Sequence, residues 1–160
     1  MELKKLIDGF GAANGIIGLR PDEDGVYSMS VDDMVVSVME VAEGGRLVIW
    51  SVVGELPPEG RERLYRVMLE AMFAGQATGG CVFSIAPETG TVVLQRSEFL
   101  AAIDDTVFAG LLETFVNALE DWRKFVAGFR DATPELEAAQ RQGDDELRRL
   151  GLGMDGFLKG

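Results

Sequence analysis

Asp22-Glu23-Asp24-Gly25 is the stretch of this chain that comes nearest to a metal site. Alternating carboxylates leading to a glycine open an EF-hand calcium loop, whose twelfth residue is a bidentate Glu. Here the twelfth position is Asp33 and the later ligands are missing, so calcium is not expected. Glu43-Gly44-Gly45 and Gly79-Gly80 lack the Gly-Lys-Ser/Thr that completes a phosphate loop. Cys81 is the only cysteine, so an internal disulfide is excluded and a reducing compartment fits. It reads as a small buried strand residue rather than a reactive thiol. Asp144-Asp145-Glu146 with Arg148-Arg149 reads as a solvated helical face. Histidine is absent, which removes the usual base near neutral pH, the commonest metal ligand and every Ser-His or Cys-His pair. Catalysis by Asp, Glu or Lys stays open. The expectation is a protein that is not an enzyme, with no catalytic residue, no metal and no cofactor.

Charge narrows the partners. Twenty-seven acidic against 15 basic residues leave a net charge of −12, which repels a phosphate backbone and an anionic membrane alike. Neither nucleic acid nor membrane insertion is expected. No apolar run approaches the roughly 18–20 residues that span a bilayer. Met1-Glu2-Leu3-Lys4-Lys5 leads into Asp8 and Gly9 rather than a long apolar core, so it does not read as a signal peptide. A cytoplasmic protein with a basic or neutral polypeptide partner is what remains. At 160 residues and 47% hydrophobic content, the chain suits one domain with a real core.

The spacing of apolar residues gives the elements. Leu3, Leu6, Ile7 and Phe10 predict a helix over about 2–14, stopped at Asn14-Gly15. Three strands follow, Val26 to Val31, Met34 to Ala42 and Arg46 to Val53, with connections short enough to require antiparallel pairing. Gly54-Glu55-Leu56-Pro57-Pro58 ends the third. A second helix is predicted over about 59–74. Strands Cys81 to Ala86 and Thr91 to Gln95 are joined by Pro87-Glu88-Thr89-Gly90. A long helix spans about 103–130, with Asp104 or Asp105 as its cap and Thr133-Pro134 beyond its end. The fold class is α+β, in the order α-β-β-β-α-β-β-α, with one antiparallel sheet packed with helices. Residues 1–130 form the domain, and 131–160 read as a polar, then glycine-rich, tail.

This pattern holds more grease than one sheet face needs. The second strand sets Met34, Val36 and Val38 against Val35, Met39 and Val41, and the third sets Leu47, Ile49 and Val53 against Val48, Trp50 and Val52. A sheet with one wet face alternates apolar and polar. Either helices cover both faces or one face receives a partner. The second helix also has two apolar sides, Leu64, Val67, Met68, Ala71 and Met72 on one and Tyr65, Leu69 and Phe73 on the other. A helix on one sheet face needs an apolar sector of only about 100°. It is either sandwiched inside the protomer or shared with a second copy.

The order and spacing resemble the class I type III secretion chaperones, the Tir chaperone family. The resemblance rests on Leu3-Leu6-Ile7-Phe10 leading to Gly18-Leu19, and on Val53-Gly54-Glu55-Leu56-Pro57 after the third strand. It continues in Leu64-Tyr65 and Val67-Met68-Leu69-Glu70-Ala71, in Gly79-Gly80 before a strand hairpin, and in Leu111, Phe115, Leu119 and Trp122 of the last helix. It covers about residues 1–130. It implies a bacterial homodimer that holds the N-terminal region of a secreted effector in an extended, secretion-competent form, with no cofactor and no ATP use. The expected effector contacts are Leu6, Phe10, Val26, Met29, Met34, Val36 and Trp50. The expected dimer contacts are Leu64, Val67, Met68, Ala71 and Met72. The rival reading is a small acidic scaffold or regulatory domain that binds a folded protein.

Overall fold

The computed structural model describes residues 2–41, 45–130 and Gln142. Helix α1 is Glu2–Asn14, and Leu3, Leu6 and Ile7 are buried along one side of it. Gly15 takes φ 71° and ends it. The chain then folds back so tightly that Ile16 N donates to Gly11 O at 2.8 Å. A Cβ on Gly11 would stand 2.5 Å from Ile16 O, so only glycine fits there.

Strands β1 (Tyr27–Val31), β2 (Met34–Val41), β3 (Arg46–Glu55), β4 (Val82–Ile85) and β5 (Thr91–Phe99) form one antiparallel sheet in the order β1-β2-β3-β5-β4. Two strands run further than the sequence predicts. β3 continues through Gly54 to Glu55, because the pairing shifts between Val52 and Gly54 and absorbs the extra residue as a bulge. Glycine suits the spot, since a Cβ there would lie 3.3 Å from Val126 Cγ1. β5 runs on to Phe99, which pairs with Arg46, so Arg96 and Ser97 are strand residues rather than a stop. At the other end, β1 begins at Tyr27, one residue after Val26.

Helix α2 is Arg61–Ala71, shorter at both ends than the expected 59–74. Gly60 at φ 70° precedes it, and the chain leaves it through a 3₁₀ turn at Phe73–Gly75 in which Ala74 has φ 56°. Helix α3 is Asp105–Arg130, and the Asp104 carboxylate caps it by accepting from Val107 N at 2.8 Å. The end of the second predicted strand at Ala42, most of its turn at 43–44, and the tail at 131–160 apart from Gln142 lie outside the described residues.

All three helices gather on one face of the sheet. Phe10 of α1 meets Phe108 of α3 edge-on at 5.8 Å. Val126 of α3 sits over Gly54, and Trp122 packs edge-on against Phe83 of β4 at 4.7 Å. Arg63 of α2 lies over the Phe129 ring of α3. The core between helices and sheet holds Ile7, Val36, Val38, Ile49, Leu94, Phe108 and Phe115, each with no exposed surface. Full burial of each such side chain contributes about 1.5–3 kcal/mol, which drives the helices onto this face.

Candidate interaction surface

Among the described residues nothing covers the opposite face of the sheet. Strand alternation and register fix which residues occupy it. Across β2 and β3 the pairs are Ser37 with Trp50, Met39 with Val48 and Val41 with Arg46. Across β3 and β5 they are Arg46 with Phe99, Trp50 with Gln95 and Val52 with Val93. Val35, Val52, Val82 and Phe99 are 56%, 52%, 45% and 62% exposed. Met39, Val48, Trp50 and Val93 are half-buried yet form no part of the core cluster. The two alternatives left open by the sequence are thus resolved for the described residues: helices cover one face and leave an apolar face to solvent.

The sequence carries a signal for this face. β1 alternates buried Tyr27 and Met29 with exposed Ser28 and Ser30. Ser28 pairs with Ser37, so the serines mark the wet side of every strand beyond them. The spacing places Val35 and Val52 on one of two apolar strand faces but does not mark that face as the exposed one, and it gives no signal for Val82 and Phe99.

The predicted effector contacts separate into two groups. Leu6, Met29, Met34 and Val36 are 7%, 3%, 5% and 0% exposed and belong to the protomer's own core, where α1 covers β1 and β2. Phe10, Val26 and Trp50 are half-buried and offer surface, with Trp50 on the bare face. The predicted dimer contacts divide likewise. Leu64 and Met68 point into the core, whereas Val67, Ala71 and Met72 are half-buried. The outward side of α2 carries Leu69, and Phe73 follows in the 3₁₀ turn, at 65% and 71% exposed. Leu64 and Met68 thus belong to the protomer's own core, while Tyr65, Val67 and Ala71 pack at its margin.

The chemical candidates resolve into structure. The Asp22 carboxylate accepts from Asp24 N at 3.0 Å and Val26 N at 2.9 Å, so it closes a turn. Among the described residues no three His, Cys, Asp or Glu side chains gather as a metal site would require. Cys81 is buried, and that burial pushes its thiol above the usual range. An open cleft of about 410 Å³ lies beside α3, lined by Asp33, Glu55, Glu120, Arg123 and Lys124. Its charges are tied by the Arg123–Asp33 pair at 3.0 Å and the Lys124–Glu120 pair at 2.8 Å. Arg123 holds the Asp33 carboxyl below the usual range.

The family model of the Tir chaperone protein (CesT) family matches residues 5–123. The chain belongs to this family. Its kinship with the class I type III secretion chaperones, its α+β class and its element order therefore stand as the sequence suggested. Solved structures are similar to this Tir chaperone family member over 74–82% of its length. A chain of the ExsC-ExsE complex has 22% identity and a TM-score of 0.67, over 78% of this chain and 93% of that one. A chain of the HopA1-SchA chaperone-effector complex has 17% identity and a TM-score of 0.62, over 82% and 94%. A chain of the complex of the Yersinia pestis type III secretion chaperone SycH with a fragment of YscM2 has 18% identity and a TM-score of 0.58, over 74% and 97%. At these identities the likeness carries the fold. No curated protein matches the chain significantly. No helix among the described residues is long and apolar enough to cross a membrane.

Proposed function

We propose that this Tir chaperone family protein is a non-catalytic cytoplasmic chaperone that binds the N-terminal region of a type III secreted effector and keeps it extended until export. The observation that carries the reading is the bare sheet face with Val35, Trp50, Val52 and Phe99 at its surface. Exposing such a patch is costly unless a partner covers it. A half-exposed valine gains about 1 kcal/mol when covered, so several together offset part of the cost of ordering a flexible client. The similar structures, a chaperone-effector complex and a type III secretion chaperone bound to a fragment of YscM2 among them, support the same reading. Two copies meet across the outward side of α2, where Leu69 and Phe73 add to half-buried Val67, Ala71 and Met72. A dimer doubles the surface offered to one client.

Co-expression with a type III effector from the same genome, followed by light scattering and limited proteolysis of the complex, tests this. The expected result is two chaperone chains per effector, with protection confined to a non-globular N-terminal stretch. Protection of a folded effector domain instead, with the N-terminal stretch cleaved as in the free effector, overturns it.

A further inference from the structure

The bare face differs from the rest of this acidic protein in its charge. Across the face from Arg46 to Val52 and from Val93 to Phe99, with the facing residues of β1, β2 and β4, there is no carboxylate, and Arg46 is the one ionisable side chain. Glu55, past the bulge, pairs with Thr91, two residues before Val93, and so lies at the end of β3 far from Arg46. The other charged residues of these strands, Glu40, Arg96 and Glu98, fall on the helix-covered side of the alternation. Arg46 is held in place. Its Nε donates to Ser97 Oγ at 2.8 Å, its Nη2 donates to Ser97 O at 3.3 Å, and its guanidinium lies 4.7 Å from the centre of the exposed Phe99 ring. Among the described residues no carboxylate forms an ion pair with it. A guanidinium fixed this way loses little freedom when it accepts an anion.

We infer that this face selects a client segment that is apolar along one side and places a carboxylate, not a lysine or arginine, beside Arg46. The inference rests on the proposed function and names the chemistry of the segment. Charge complementarity decides the occupant. The Arg46–Val52 stretch of a second copy, docked over the same stretch, would bring Arg46 no carboxylate, because it has none to offer. A basic segment would be drawn by the net charge of −12, yet on this face it would meet only a like charge. The distance from Arg46 to Val52 is about 20 Å at the rise of a strand, which about six or seven extended residues cover.

The test uses the full chain and three labelled nine-residue peptides in which leucines alternate with glutamines, so that an extended chain is apolar along one side. They differ only in one terminal residue, Glu, Gln or Lys, and binding is read by fluorescence anisotropy at low salt. The expected order is Glu tightest, then Gln, then Lys, with about tenfold between the extremes. Arg46→Gln should collapse that difference, Arg46→Glu should reverse it, and Val52→Asp should weaken all three peptides. Equal or tighter binding of the Lys peptide overturns the inference, as does an order that Arg46→Glu leaves unchanged or binding of none of the three. A change of oligomeric state in Val52→Asp assigns the face to a second copy and also overturns it. Capture of an effector N-terminal segment beside any of these failures leaves the proposed function standing and removes only the selection rule.

Discussion

Trp122 of α3 donates its indole N–H to the carbonyl of Ala77 at 3.0 Å, and so ties the longest helix to the loop that leads from α2 into β4. Arg96 holds the same loop through the Gly79 carbonyl at 2.7 Å. Trp122 also packs on Phe83 and Phe125. Trp122→Phe keeps an aromatic ring in the slot and leaves the Ala77 carbonyl without its partner. The expected cost is about 1–3 kcal/mol, read from urea unfolding. A loss below half a kcal/mol would mean that water replaces the indole without penalty.

Gly79 answers to two constraints. Its φ is +60°, and a Cβ added there would stand 2.9 Å from Thr114 Cγ2. Gly79→Ala should therefore destabilise by about 1–3 kcal/mol. Adding Thr114→Ala removes the clash but not the backbone strain. The double variant should recover only part of the loss, which a double-mutant cycle by thermal unfolding measures.

Val35 and Val36 are chain neighbours on opposite faces of β2, at 56% and 0% exposed. Val36→Asp buries an unpaired carboxylate and should leave no cooperative unfolding transition. Val35→Asp should change stability by about 0.5 kcal/mol or less, while weakening effector capture at least about tenfold by charging the bare face. Circular dichroism and co-purification separate the two outcomes. Intact capture by a folded Val35→Asp protein would remove this face from the binding surface.

The element order was legible because short connections and the change from helical to alternating periodicity are local. The choice of covered face was less so. In β2 and β3 both faces are apolar, and which one meets α1 and α3 depends on pairing with β1, whose serines lie some ten residues away in the chain. The same limit hid the arrangement of Arg46, Ser97 and Phe99. These residues meet only through the long-range register of β3 with β5. Gly54 read as a strand end because a bulge and a stop share the same local residue, and the shift in pairing that distinguishes them belongs to the partner strand. In α2 the apolar residues were evident, but which side is buried depends on how the helix packs on β4 and α3.

Leu69 and Phe73 provide the test of the dimer. Both are exposed in the protomer, so Leu69→Glu with Phe73→Glu should leave its fold intact and convert a dimer to monomers, as multi-angle light scattering would read. Burying uncompensated charge in the seam costs several kcal/mol. Met68→Glu should instead unfold the protomer, because Met68 is 4% exposed within the core. A dimer that survives the double change would place the seam elsewhere.

The Arg123–Asp33 pair gives a pH signature. The guanidinium donates a hydrogen bond to the Asp33 carboxylate and attracts its charge, and both effects lower the folded-state value. The unfolded value is about 3.9. A depressed carboxylate stabilises the fold above its unfolded value, and that contribution is lost as pH falls through the lower, folded value. Asp33 is exposed, so the stability at stake is small and the titration itself is the measurement. Carboxyl NMR should find Asp33 titrating below its ordinary value in the native protein and returning to it in Arg123→Gln. An unchanged midpoint in that variant would mean that Arg123 does not hold the turn between β1 and β2 in solution.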